Sequence, residues 1–133
     1  MRFLLDTNVC IAILKGNDKV IGCLKKLSPD DCAVSVVTMY ELYAGVERCR
    51  DPHKEMLALE RFLNALHQLP LENKAAQFSA KVRHALEIRG RMIGPYDILL
   101  AGQALATGLI LVTHNQHEFS RVEGLKIEDW ESP

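Results

Sequence analysis

The sequence has no long hydrophobic run, no paired cysteines and almost no excess of charge. Polar residues break its apolar stretches well short of the roughly 20 residues that span a bilayer, so no membrane segment is expected. Asp6 interrupts the opening apolar run too early for a secretory signal, which makes the cytoplasm the expected location. Cys10, Cys23, Cys32 and Cys49 form neither a CxxC pair nor a zinc spacing. Three of them sit among apolar neighbours, so they read as reduced thiols rather than a disulfide framework. Lys and Arg total 16 and Asp and Glu total 17, a formal net charge of −1, so any nucleic-acid contact must be local. Repeats, low-complexity tracts and Gly/Ser linkers are missing as well. What remains is 133 residues, 48% of them hydrophobic, enough for a real core and suited to one domain over residues 1–133.

Strand-like and helix-like segments alternate. Arg2 to Leu5 reads as a short buried strand, and Val9 to Leu14 as a helix ending near Gly16. A second helix runs from Lys19 to Leu27, and Ser28-Pro29-Asp30-Asp31 is a turn. Cys32 to Val36, rich in small and β-branched residues, predicts a strand. From Thr38 the period becomes helical, with Met39, Leu42, Tyr43 and Val46 in a stripe. Further helices start at Asp51-Pro52, at Glu72 and after Gly94-Pro95, and Gln68 to Pro70, Leu109 to Val112 and Leu125 to Ile127 are short strands. This alternation implies an α/β fold, a parallel sheet with helices on both faces. Such sheets bind ligands beyond the carboxyl ends of their strands, where strand order reverses. Two strands end alike: FLL runs into DTN and LILV into THN, so side by side their polar tails would meet.

Four acids stand at suggestive places. Asp6 is either an N-cap for the next helix or one wall of a site. Glu41 lies early in its helix, where a carboxylate gains from the macrodipole. Asp97, in GPYDILLAGQAL, opens a helix so apolar that its charge requires a partner. Glu118, in THNQHEF, reads by itself as a solvated loop residue. In a doubly wound sheet all four positions can face one edge. Carboxylates crowded there repel, and some would protonate unless a cation lay among them. Mg²⁺, with Mn²⁺ as a substitute, matches an all-oxygen set, with Asn8, Thr113 and Asn115 as supporting polar groups. An open carboxylate–metal site suits phosphodiester hydrolysis, in which Glu41 can also take a proton from the attacking water.

In order, Asp6 in LLDTN, Glu41 in SVVTMYELYAG, Asp97 in GRMIGPYDILLAGQAL and Glu118 in LVTHNQHEF resemble the PIN-domain ribonucleases. More closely they resemble the VapC toxins of type II toxin–antitoxin systems. The likeness runs from MRFLLDTN to the closing GLKIEDW. It implies a three-layer fold with about five parallel strands and a Mg²⁺-dependent endoribonuclease. Asp6 and Asp97 match the family's principal metal-binding acids and Glu41 its third acid. Asn115 and Glu118 fall in its T-x-N-x-x-[DE]-F element, and either of them can complete the set. The resemblance further implies a homodimer, a cognate VapB-type antitoxin laid across apolar helices, and structured RNA as substrate, commonly tRNA, with initiator tRNA cut in the anticodon region.

For the partner surfaces, Tyr40, Tyr43, Val46 and the helix after Asp51 offer apolar area to an antitoxin or to the core. Arg83, His84, Arg89 and Arg91 precede the Asp97 helix. They form either a solvated face or, at Arg89 and Arg91, an RNA-phosphate contact. His114 and His117 are a loop pair facing RNA or solvent, or less simply a metal pair. Two rivals stand beside the nuclease. A phospho-acceptor signalling module would need a lysine after the late strand, where Thr113-His114-Asn115 stands instead. A silent PIN-like binding domain would have no use for the acids.

Overall fold

The computed structural model describes residues 1–132. The chain runs β1 (Phe3–Leu5), α1 (Thr7–Leu14), α2 (Asp18–Lys25), a 3₁₀ turn at Pro29–Asp31, β2 (Cys32–Ser35), α3 (Val36–Glu47) and α4 (Pro52–Asn64). It continues β3 (His67–Leu69), α5 (Asn73–Arg89), α6 (Pro95–Thr107), β4 (Ile110–Val112), α7 (Gln116–Phe119) and β5 (Ile127–Glu128). The five strands form one parallel sheet in the order β3-β2-β1-β4-β5. Order reverses beside β1, so the crevice past β1 and β4 is the switch point of the sheet.

Successive strand residues point to opposite faces, and each face carries its own core. Leu4, Ala33 and Leu111 pack with Val82, Leu86, Leu100 and Phe119 under α5, α6 and α7. Phe3, Leu5, Val34 and Val112 pack with Val9, Leu42, Leu59 and Leu63 under α1, α3 and α4. The expected three layers are present. Cys10 and Cys32 are buried free thiols, and burial pushes Cys32 up to about 11 and Cys10 well above its ordinary range. Both are inert core residues at neutral pH. No helix of the described residues is long and apolar enough to cross a membrane.

Two departures from the expected elements have local causes. Residues 35–37, Ser-Val-Val, have strand propensity, yet α3 begins at Val36 because the Ser35 hydroxyl caps the helix, accepting from the Val37 amide at 3.1 Å. Glu41 therefore lies beyond the first turn of α3, not within it as its position after Thr38 implied. Of the residues that the sequence left open between partner surface and core, Val46 is 7% exposed and belongs to the core, whereas Tyr40 and Tyr43 stand on the surface.

Helices α5 and α6 touch backbone to backbone. Gly102 is buried, and a methyl built on it would overlap the Ser79 hydroxyl and stand 2.6 Å from Ser79 Cα. Ser79 cannot swing away freely, since its hydroxyl donates to the Ala75 carbonyl at 2.8 Å. Gly102→Ala is expected to separate the helices and lower unfolding free energy by about 1–3 kcal/mol. Gly22→Ala, inside α2 with nothing within 4 Å of the added carbon, is the contrast. It is expected to stabilise by about 0.5–1 kcal/mol. Urea unfolding of the two variants checks the pair, and equal midpoints would contradict the close-packing account.

Candidate active site at the β1 and β4 strand ends

Leu5 stands opposite Val112 in the parallel register, so the residues that follow each strand are neighbours. The Asp6 amide donates to the Val112 carbonyl at 3.1 Å, and the Thr113 amide continues the ladder to Glu128 at 3.0 Å. DTN and THN thus meet, as their matching tails implied.

Asp6 has both of its possible roles. It caps α1, accepting from the Val9 amide at 2.8 Å. It is also 4% exposed and faces a group of like charges. Burial pushes its carboxyl above the usual range. The Thr113 hydroxyl and the Val9 amide pull it back, while the charges of Glu131 and Glu41 push it further up.

Asp97 arrives from the first turn of α6, where Pro95 starts the helix. Its carboxyl is pushed from an ordinary 3.8 to about 6, chiefly by burial and then by the charges of Asp6, Glu118 and Glu41. Three of the four acids expected from the sequence therefore act on the carboxyl of the fourth. Glu41 is oriented from β1's side of the crevice, its Oε1 accepting from the Thr7 hydroxyl at 2.7 Å. Thr38 lies behind it, 3.2 Å from the same hydroxyl. Glu118 sits on the short helix α7, an element that the sequence pattern did not reveal. Asn115 precedes α7, its amide donating to the Thr113 hydroxyl at 2.9 Å, and Asn8 is exposed at the start of α1.

The closing segment of the chain reaches the site too, which the sequence pattern did not suggest. The Asp129 side chain, 5% exposed, accepts from Gln116 at 2.9 Å and His114 at 3.1 Å. It also accepts from the backbone amides of Glu131 at 2.8 Å and Ser132 at 3.3 Å. Burial opposes its charge, but those hydrogen bonds outweigh it and hold the carboxyl below its ordinary range. Asp129 thereby ties the tail to the β4–α7 loop, and Glu131 comes close enough to act on Asp6. His114 is spoken for: its Nδ1 lies between Asp129 and, at 3.2 Å, Glu131. The signal available in the sequence was only the pair of acids flanking Trp130, too common a pattern to single out.

Arg89 and Arg91 are both exposed. Arg89 donates to the Arg121 carbonyl at 2.6 Å and Arg121 donates to the Met92 carbonyl at 3.0 Å, so the α5–α6 turn is fastened to the segment after α7. Arg83 pairs with Glu87 one turn along α5, a solvated face.

The PIN domain family matches residues 3–125 of this geometry. The chain belongs to the PIN-domain family, in its VapC group. It is 36% identical over 130 residues to the tRNA(fMet)-specific endonuclease VapC of Shigella flexneri, with 98% of each chain covered. It is 34% identical, again over 98% of each, to ribonuclease VapC2 of Haemophilus influenzae. Among solved structures, the DNA-bound VapBC complex of Salmonella typhimurium contains a chain that superposes with a TM-score of 0.93 at 34% identity, covering 98% of both chains. VapBC2 of Rickettsia felis, bound to a promoter DNA fragment, superposes with a TM-score of 0.92 at 31% identity, over 98% of this chain and 99% of that one.

In this VapC-group chain the donor set suits a hard divalent cation. Its side chains are carboxylate, amide and hydroxyl oxygens, and the buried thiols lie in the cores. No three His, Cys, Asp or Glu side chains among the described residues are drawn together tightly enough to enclose an ion without moving. Carboxylates that face one another without a cation between them repel. The same repulsion has a pH signature. Asp97 has a raised pKa in the folded chain, so its contribution to stability is full below about pH 4 and is lost as pH rises through about 6. In metal-free protein Asp97→Asn, which cannot ionise, is expected to melt higher than the parent at pH 7 and to show no such advantage near pH 4. Thermal melts across that range measure it; an advantage independent of pH would contradict the crowding.

Proposed function

We propose that the chain is the toxin of a toxin–antitoxin pair, a metal-dependent endoribonuclease that hydrolyses phosphodiester bonds in structured RNA. The supporting observation is that Asp6, Glu41 and Glu118, from three separate elements, act together on the half-buried carboxyl of Asp97. Ribonuclease function is the property of the VapC relatives to which the chain is similar along its length. The Shigella flexneri relative is named for tRNA(fMet), and initiator tRNA, cut in the anticodon region, is the target we assign here. A VapB-type antitoxin is the partner that silences it, in keeping with the VapBC complexes among the similar structures. The active form is a cytoplasmic homodimer of one PIN domain per chain.

Asp6 and Asp97 would be the principal ligands of Mg²⁺ or Mn²⁺, with Glu41 and Glu118 beside them and Asn8, Thr113 and Asn115 as neutral groups. When bound, the ion supplies Lewis-acid polarisation of the phosphoryl oxygen and a more acidic attacking water. The remaining work belongs to the chain. The Val9 amide and the Thr113 hydroxyl hydrogen-bond the Asp6 carboxyl and offset part of the cost that burial puts on its charged form. Glu41, oriented by Thr7, takes the proton of the attacking water. Arg91 and the exposed part of Arg89 bind substrate phosphates.

Purified toxin freed of antitoxin is expected to cut tRNA with Mg²⁺ or Mn²⁺ and to stop with EDTA. Asp6→Asn and Asp97→Asn are each expected to lower cutting at least 100-fold, on the order of 3 kcal/mol of transition-state stabilisation, while their circular dichroism spectra stay unchanged. Cutting by either variant at the parental rate would refute the assigned site.

A further inference from the structure

The chain's few aromatic side chains divide by type. It has four Phe, one Trp and three Tyr. Phe3, Phe119 and Trp130 are buried and Phe62 and Phe78 are partly buried, but Tyr40, Tyr43 and Tyr96 are 56%, 37% and 41% exposed. Two of these surface tyrosines form one structure. The rings of Tyr40, on α3, and Tyr96, on α6, meet edge to face with centroids 5.6 Å apart and planes inclined at 66°. The Tyr96 hydroxyl donates to that of Tyr40 at 3.3 Å. An edge-to-face pair holds both rings in place and still leaves π-surface open.

The position of the pair is as informative as its exposure. Tyr40 directly precedes Glu41 and Tyr96 directly precedes Asp97, so the tyrosines join the two helices that bring those acids to the crevice. The charge of Glu41 acts on Asp97 and also reaches the Tyr96 hydroxyl, which places the aromatic pair on the rim of the acidic site. A purely structural bridge between α3 and α6 would be better served by aliphatic residues turned inward.

We infer that Tyr40 and Tyr96 form a stacking platform for an unpaired nucleobase of the RNA substrate, next to the phosphate that is cut. A strand laid across the carboxylates exposes bases beside the reacting phosphate, and unpaired bases are held by stacking on aromatic rings. The fixed rings supply that surface at low entropic cost, and the linked hydroxyls offer polar contacts to a base edge. The platform selects single-stranded or loop nucleotides over duplex, because a stacked and paired base cannot reach it. This inference rests on the ribonuclease reading and adds a base-binding subsite to it.

The test uses the full chain and two measurements. The first is anisotropy of a fluorescein-labelled single-stranded 12-mer RNA on the Asp97→Asn background, where cutting is removed. Stacking is worth about 1–3 kcal/mol per base, so Tyr40→Leu and Tyr96→Leu are each expected to weaken RNA binding about 5- to 100-fold. Tyr96→Phe and Tyr40→Phe, which keep a ring, are expected to stay within about threefold. The second is cleavage kinetics with Asp97 intact, where the Leu variants are expected to lose in KM rather than in kcat. Leu variants that bind and cut like the parent would overturn the platform while leaving the nuclease reading in place. So would a loss confined to antitoxin binding, which would assign the tyrosines to the protein partner. A parent protein that binds the 12-mer but cuts no RNA would overturn the nuclease reading and, with it, the subsite adjoining the cut.

Discussion

Repulsion among carboxylates at the end of the parallel β1–β4 pair is the constraint around which the rest of the molecule is arranged. The register that sets Leu5 opposite Val112 brings Asp6 and Thr113 together, and helices on both sides then add Glu41, Asp97 and Glu118. A fold optimised only for stability would not put acids where burial and neighbours raise a carboxyl to about 6. The chain meets the cost with local hydrogen bonds: Val9 and Thr113 to Asp6, Thr7 to Glu41. What those bonds leave uncompensated is the electrostatic drive for a divalent cation, and hence for the chemistry that such a cation brings to a phosphodiester.

Rigidity behind the site makes the crowding possible. Both faces of the short strands are covered by separate apolar cores, and α6 cannot drift because Gly102 lets its backbone lie directly against Ser79 of α5. The α7 side is fastened twice, by Arg89 on the Arg121 carbonyl and by Asp129 gathering Gln116, His114 and the tail. The acids are thus presented by an over-determined frame, and the charge that would push them apart is resisted by packing far from the charges themselves.

Much of this was legible in the sequence where a pattern had a strong local cause. Short β-branched runs between helical periods named the parallel sheet, and two strand ends with matching polar tails located the crevice. Asp97 announced itself because its helix is apolar on most sides. Other features were hidden for physical reasons. Ser35 overrode the strand propensity of Val36 and Val37 through one capping bond, which moved Glu41 past the first turn of its helix. The one-turn helix at Gln116–Phe119 is too short to show a period. The place of Val46 stayed open between partner surface and core because a stripe of apolar residues does not say which of its members face inward. Asp129 and Glu131 depend on where the tail returns after β5, and no local pattern encodes that return.

The most direct test is binding of Mn²⁺ to the RNA-free protein, followed by electron paramagnetic resonance of the free ion at pH 7. The account predicts saturable binding that falls at least tenfold in affinity for Asp6→Asn and for Asp97→Asn, with Mg²⁺ competing for the same site. Binding of equal strength in both variants, or none in the parent, would contradict it.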